Sequence, residues 1–318
     1  MGDRRADPIS RLTVTIAEPE VLEGLRRLGV PEGVRLALWG LKGEPPEPEV
    51  DVVVVPNTHL APEAFRALGR LPRLRVVQLT SAGYEHALPH VPPGLALCNG
   101  RGVHDVGTAE LALALTLAAQ RGIGEAVRAM PDGRWDPVPR SSLADRRVLV
   151  LGYGSVGAAI GRRLAAFEAE VVRVARTARE AAEGHVHGID ELMALLPTVD
   201  IVISALPLTE TTLGLLSAAV LAAMPDGALL VNVGRGKVVD TDALLAELQA
   251  GRLRTALDVT DPEPLPAGHP LWRAPNTIIT PHVGGYTDAT TPRVVALVRR
   301  QIDALLAGLE PLNLVART

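Results

Sequence analysis

Short, unbroken apolar runs alternate along this chain with stretches whose apolar residues recur every three or four positions. That is the pattern of buried strands separated by helices. The runs at 12–16, 34–39, 51–56 and 74–79 predict strands of a small parallel α/β unit, with helices starting near Pro19 and at Pro62. The acidic, proline-rich segment 43–49 reads as an exposed loop, because strands lie on both sides of it. A long apolar helix is predicted over 104–119, and residues 131–139 break the pattern. A second series then begins: strand 148–151, a helix carrying Ile160, Leu164 and Phe167, strand 170–175, helix 189–196, strand 199–205, helix 218–224, strand 228–233, helix 241–250, and strands 253–259 and 277–280. Ser217 and Asp240 stand where N-caps belong, and Gly251 where a helix stops. The closing helix, 291–307, carries Val294, Val295, Leu297, Val298, Ile302, Leu305 and Leu306, too wide an apolar face for a free tail. It is expected to return to the first domain. The expected fold is therefore α/β with two doubly wound parallel sheets: a discontinuous domain of 1–103 and 286–318, and an inserted domain of 104–285.

The second series opens on Gly152-Tyr153-Gly154-Ser155-Val156-Gly157, a G-x-G-x-x-G with a strand before it and a helix after it. In that context Gly152 permits the tight turn, Gly154 lets a pyrophosphate approach the backbone, and Gly157 lets helix pack on strand. The helix N-terminus then offers N–H groups to phosphates. Dinucleotide binding is the expectation.

Composition narrows the class further. A length of 318 residues suits two domains, and 47% hydrophobic with 21% charged residues describes a globular, soluble chain. The net charge of −4 gives no electrostatic case for nucleic acid or an anionic membrane. Lys42 and Lys237 are the only lysines, so the abundance of Arg reflects overall composition. Cys98 is alone, which excludes an internal disulfide framework or a cysteine metal site and points to a reducing cytoplasm. Arg4 and Arg5 are followed by no apolar signal core, and the apolar stretch 111–119 is too short for a membrane span. His185 and His187 lie two apart with no third ligand expected nearby, and with His86 and His90 they read as surface residues rather than a zinc site. No metal is expected.

Ligands of open α/β sheets sit outside the carboxyl ends of the strands, so polar residues at those ends carry most weight. The strand 228–233 leads to Gly234-Arg235-Gly236, the strand 253–259 contains Asp258 and leads to Glu263, and the strand 277–280 leads to His282. An Arg between glycines suits a planar carboxylate. A carboxylate facing His282 would fix its tautomer and favour the protonated ring. Asp258 is either a satisfied buried carboxylate or a partner for the nicotinamide end, the second being preferred. The turn Ser81-Ala82-Gly83 ends an earlier strand and suits a small carboxylate or is a plain turn.

Together Gly152 to Gly157, Leu206 to Thr209, Asn232 to Gly236, Ala256 to Val259 with Glu263 to Leu265, and Thr280 to Gly285 resemble the D-isomer-specific 2-hydroxyacid dehydrogenase family, over the whole chain and in order. The resemblance implies two domains with the active site in the cleft between them, usually in a homodimer, in the glyoxylate/hydroxypyruvate reductase-like branch. It implies hydride transfer between NAD(P)H and a small 2-keto acid. Arg235 would serve the substrate carboxylate and carbonyl, His282 proton transfer, and Glu263 the support of His282. Ser81, Ala82 and Gly83 would match the carboxylate-binding loop. Gly152, Gly154, Ser155, Val156, Gly157, Leu206, Pro207, Thr212, Val233, Gly234, Asp258 and Thr108 would line the cofactor. Glu263 stands where a formate dehydrogenase carries Gln, and Ala82 where a phosphite-oxidising member wants Lys, so both branches are disfavoured. A non-catalytic dinucleotide sensor resembling corepressors remains open, as does a phosphoglycerate dehydrogenase without its regulatory extension.

Selection of NAD normally uses an acidic residue about 20 positions after the glycines. Here that strand ends in Ala175-Arg176, with Arg179 shortly after, and the carboxylate is missing. A guanidinium fork suits a 2′-phosphate, so NADP is expected over NAD.

Overall fold

A computed structural model describes residues 11–47, 49–56 and 60–318; Arg4, Arg5 and Pro48 lie outside them. The chain divides into two compact units, Met1–His104 with Thr287–Thr318, and Asp105–Tyr286. Among the described residues no helix is long and apolar enough to cross a membrane.

The first unit carries strands β1 (Leu12–Ile16), β2 (Val34–Leu38), β3 (Val52–Val54), β4 (Val76–Gln78) and β5 (Ala96–Cys98). They are parallel in the order β5-β4-β3-β1-β2, and the final strand Leu314–Arg317 adds antiparallel to β5. Strands β1, β3 and β4 are buried on both faces, as central parallel strands must be, with Thr13, Thr15 and Gln78 buried among their apolar residues. Helix α1 (Pro19–Arg27) and the closing helix Thr290–Leu306 cover one face through Val21, Leu22, Leu25, Val294, Val298 and Ile302. They approach so closely that a Cβ on Gly24 would lie 2.5 Å from Val295. The predicted helix at Pro62 is instead a 3-10 helix, Pro62–Arg70, the tighter form into which a short, proline-started segment settles. Strand β5 and the final strand are absent from the sequence pattern; both are short and lack a long apolar run.

The second unit begins with α2 (Asp105–Arg121) and α3 (Ile123–Ala129), then strand β6 (Arg147–Leu151) and α4 (Ser155–Ala166). Its remaining strands are β7 (Glu170–Ala175), β8 (Arg179–Ala181), β9 (Gly184–Gly188), β10 (Ile201–Ser204), β11 (Leu229–Asn232), β12 (Arg254–Leu257) and β13 (Thr277–Ile279). The sheet order β13-β12-β11-β10-β6-β7-β9-β8 makes β6 the switch point, from which the chain winds outward both ways. Only the β8–β9 pair is antiparallel. The register aligns Leu151, Ser204, Asn232, Leu257 and Ile279, so the residues just past these strands emerge along one edge. Helix α2 packs on α4 and under β11 and β12. The predicted helix 189–196 is broken into a 3-10 turn, the four-residue α5 (Leu192–Leu195) and a second 3-10 turn containing Pro197. The two remaining helices are α6 (Ala218–Ala222) and α7 (Thr241–Gln249); Asp240 caps α7 by accepting from the Ala243 N–H at 3.0 Å.

Candidate functional site

The glycine turn sits at the centre of that edge. Gly152 has φ 98°, open to glycine at no steric cost, and its N–H bonds to the Val174 carbonyl at 2.9 Å. A Cβ on Gly157 would lie 2.3 Å from the Gly152 carbonyl oxygen, so only glycine lets α4 start this close to β6. At Gly154, in contrast, a Cβ would meet no described atom within 4 Å: the space beside the exposed turn is open. Helix α4 has no side-chain cap, and its first-turn N–H groups at Ser155 and Val156 point to that end. Both features fit a pyrophosphate.

The neighbouring loop brings Leu206 and Pro207 beside the turn, since the Ala205 carbonyl lies 2.9 Å from where a Gly152 Cβ would be. Thr212 braces this loop: its hydroxyl accepts from the Thr209 N–H at 2.8 Å and donates to the Pro207 carbonyl at 2.7 Å. Val233 and Gly234 follow β11, with Gly234 packed against the Leu206 backbone. Thr108, in α2, lies against Gly284.

Past β11 the chain turns through Arg235, and a side chain that motif reading passes over controls the turn. Buried Asn232 accepts from the Gly234 N–H at 3.1 Å and donates to the Arg235 carbonyl at 3.0 Å. A polar residue at the last position of a buried strand is the signal that could have found it. The Arg235 guanidinium, half-buried, donates to the Gly234 carbonyl at 2.8 Å.

Asp258 comes just after β12 rather than lying within the strand. It is 2% exposed. Its carboxylate accepts from the Thr280 hydroxyl at 2.6 Å and from the N–H groups of Val283 and Gly284, both at 2.9 Å. Those three donors satisfy the buried carboxylate within the protein. Its backbone carbonyl takes the His282 N–H at 2.8 Å. His282 itself has φ 55°, a left-handed conformation uncommon for any side chain but glycine's, and the Asp258 bonds on either side hold it there.

The His282 Nδ1–H donates to Glu263 Oε1 at 2.5 Å. A carboxylate can only accept, so the proton belongs on Nδ1 and Nε2 is the ring's outward nitrogen. The His282 bond holds the Glu263 carboxyl below the usual carboxylate range, against burial, and the charge of Arg235 adds a smaller push in the same direction. Arg235, Glu263 and His282 thus share one electrostatic neighbourhood at the sheet edge.

On the other side of β6, Arg176 and Arg179 are exposed. Arg179 begins β8, and its guanidinium donates to the Tyr153 carbonyl at 2.6 Å, directly against the glycine turn. One expectation fails in this region. His185 and His187 do have a third ligand-type neighbour, Glu191, with all three candidate atoms within 4.8 Å of one another. A short turn after β9 brings it round, which sequence spacing alone does not reveal.

The turn Ser81-Ala82-Gly83 belongs to the first unit. Its carbonyls are taken by the Gly100 N–H at 2.6 Å, the Asn99 side-chain amide at 2.7 Å and the Ser81 hydroxyl at 2.8 Å. Oriented carbonyls set the loop's backbone in place.

The chain is similar to known proteins over most of its length. A family model described as the D-isomer specific 2-hydroxyacid dehydrogenase, NAD binding domain, matches residues 113–284. A glyoxylate reductase of Thermofilum pendens is 32% identical over 77% of this chain and 75% of its own. Among solved structures, a D-isomer specific 2-hydroxyacid dehydrogenase from Xanthobacter autotrophicus Py2, in complex with NADPH and MES, superposes with a TM-score of 0.81 at 32% identity, covering 97% of this chain and 99% of that one. An NADPH-dependent glyoxylate/hydroxypyruvate reductase from Sinorhizobium meliloti, in complex with NADP and malonate, gives 0.74 at 29% identity, covering 98% of each. With the family model spanning the glycine turn, Arg235, Glu263 and His282, and the solved structures matching both units, the chain belongs to the D-isomer specific 2-hydroxyacid dehydrogenase family.

Proposed function

We propose that this protein reduces a small 2-keto acid, glyoxylate or hydroxypyruvate, to the D-2-hydroxy acid with NADPH. The observation that carries the reading is the His282–Glu263 pair at 2.5 Å, with Arg235 beside it, on the edge that also bears the glycine turn. A bound reduced nicotinamide supplies the hydride. The protein's own groups do the rest. Protonated His282 delivers a proton from Nε2 to the substrate oxygen as negative charge develops there, while Glu263 holds the ring's tautomer and stabilises its charge. Arg235 takes the substrate carboxylate and carbonyl through its fork. The backbone of Ser81, Ala82 and Gly83 is the second candidate for a carboxylate. Asn232 and Asp258 act as positioning residues for Arg235 and His282, and Asp258 with Thr108 borders the nicotinamide end.

The glycine turn, Leu206, Pro207, Thr212, Val233 and Gly234 hold the dinucleotide in this reading, with Arg176 and Arg179 toward its 2′-phosphate. Residues 104–285 then form the dinucleotide domain, and 1–103 with 286–318 the substrate domain. We assign a homodimer as the working unit, because Ile123, Val127, Met130 and Trp135 expose a run of large apolar side chains, Trp135 at 91%. Light scattering checks that assignment. We assign the protein to a reducing cytoplasm because Cys98, its one cysteine, is free and buried.

Steady-state kinetics with a panel of 2-keto acids and both reduced cofactors tests the reading. Turnover of glyoxylate or hydroxypyruvate supports it. Cofactor binding without turnover on any keto acid replaces it with a dinucleotide sensor.

A further inference from the structure

We propose that His185, His187 and Glu191 form a surface site for a divalent transition metal of the zinc type. Strand β9 places His185 and His187 two residues apart, so both rings project from the same face of the hairpin, packed edge to face with centroids 4.8 Å apart. The one buried residue between them, Val186, anchors the strand from the opposite face. Gly188 then turns the chain, and Glu191 swings back under His187. Its Oε1 is fixed by the Gly188 N–H at 2.9 Å, and its Oε2 lies 2.8 Å from His187 Nδ1.

Three ligand atoms within 4.8 Å of one another need only modest side-chain rotation to reach the ligand spacing of a tetrahedral zinc, about 3.4 Å for bonds near 2.0–2.1 Å. All three side chains are exposed or half-buried, so rotation is open to them and water can complete the shell. Two imidazoles and a carboxylate suit zinc, nickel or copper rather than calcium or magnesium.

A fourth residue supports the reading. Glu180, directly across the hairpin from His185, lies 2.7 Å from its Nδ1. A carboxylate on Nδ1 fixes the tautomer whose Nε2 lone pair binds a metal, the usual outer support of a metal-ligating histidine. The hairpin also carries Arg179, opposite Val186, so a bound ion would tie the segment that reaches the glycine turn to the turn after β9.

The test is equilibrium dialysis of the untagged full chain against zinc chloride, with the metal-free melting temperature of every variant measured alongside. The expected result is one zinc per chain, lost in the double variant His185→Ala with His187→Ala. Glu191→Gln should weaken binding beyond about tenfold, and Glu180→Gln by about tenfold. Cobalt titrated into wild type should give a visible absorption band absent from the double variant. His185→Gln and His187→Gln serve where an alanine variant melts early. Zinc uptake by wild type no greater than by the double variant, or unchanged by Glu191→Gln, overturns the proposal. Neither outcome bears on the keto-acid reading, which uses none of these residues.

Discussion

The groups that the two halves of the second sheet, on either side of β6, bring to the proposed cofactor and substrate are held differently. On the side of β10 to β13, the groups facing the edge are fixed by short bonds: Asn232 clamps the Arg235 turn, Asp258 accepts three bonds around His282, and Glu263 takes the His282 ring. On the side of β7 to β9, the two arginines assigned to the phosphate, Arg176 and Arg179, are exposed; Arg179 reaches the glycine turn through a bond to one carbonyl, and half-buried Arg173 through a bond to the Tyr153 hydroxyl at 3.2 Å. The difference matches the task proposed for each half. A proton transfer fails when a ring moves by a fraction of an ångström, whereas a guanidinium reading a phosphate tolerates adjustment. Substitutions on the braced half should therefore cost far more than substitutions on the loose half, and four measurements sharpen or break that contrast.

Arg235→Ala should have the largest effect. Loss of a charge-assisted pair to the substrate costs about 2–4 kcal/mol, or roughly thirty- to a thousand-fold in kcat/KM. Cofactor affinity should hardly change. Wild-type efficiency in this variant on every keto acid would remove Arg235 from the chemistry.

Glu263→Gln comes next, at roughly ten- to a hundred-fold in kcat. The His282 bond holds the Glu263 carboxyl below its usual range, so the carboxylate is charged throughout the neutral region and lost only in strong acid. The amide that replaces it holds the His282 ring and its tautomer less firmly, so kcat should fall while KM hardly changes. A wild-type kcat in this variant, with chemistry shown to limit the rate, would separate Glu263 from His282.

Asp258→Asn tests the bracing itself. One of its oxygens becomes an N–H donor facing the N–H of Val283 or Gly284, leaving a buried mismatch of about 1–3 kcal/mol. The melting temperature should fall, with kcat falling because His282 loses its support. A variant as stable and active as wild type would show that the left-handed turn at His282 holds without Asp258.

Sequence reading shares the same asymmetry. The braced half is legible because its strands are continuous apolar runs and its functional residues come directly after them, as Arg235 does after β11 and His282 after β13. What escapes there is Asn232, whose role rests on two backbone bonds that no spacing encodes. The loose half hides more. Strands β8 and β9 have only Val186 as a fully buried apolar residue, so they give almost no hydrophobic period, although the His185-Val186-His187 alternation is a faint signal. Glu191 cannot be joined to the histidines until the turn at Gly188 is known. In the first unit, the 3-10 form of Pro62–Arg70 escapes because its apolar spacing also suits an α-helix.

The smallest effect belongs to the arginines of the loose half. No acidic residue ends β7, so nothing there repels a 2′-phosphate, and Arg176 and Arg179 are the cations at hand. Both are exposed, and water screens exposed charges strongly. Arg179 also has a competing use, since its fork already donates to the Tyr153 carbonyl and keeps only part of its donor set for a phosphate. These two facts put the preference at the low end, about 1.4 kcal/mol, or roughly tenfold in favour of NADPH. The measurement is the ratio of kcat/KM with NADPH to that with NADH, in wild type and in Arg176→Ala with Arg179→Ala. The double variant should bring the ratio near one by weakening NADPH while leaving NADH almost untouched, and raising the salt should erode the wild-type ratio in the same direction. A wild-type ratio favouring NADH, or a ratio the double variant does not move, would mean that this half of the sheet does not read the phosphate, and its looseness would need another explanation.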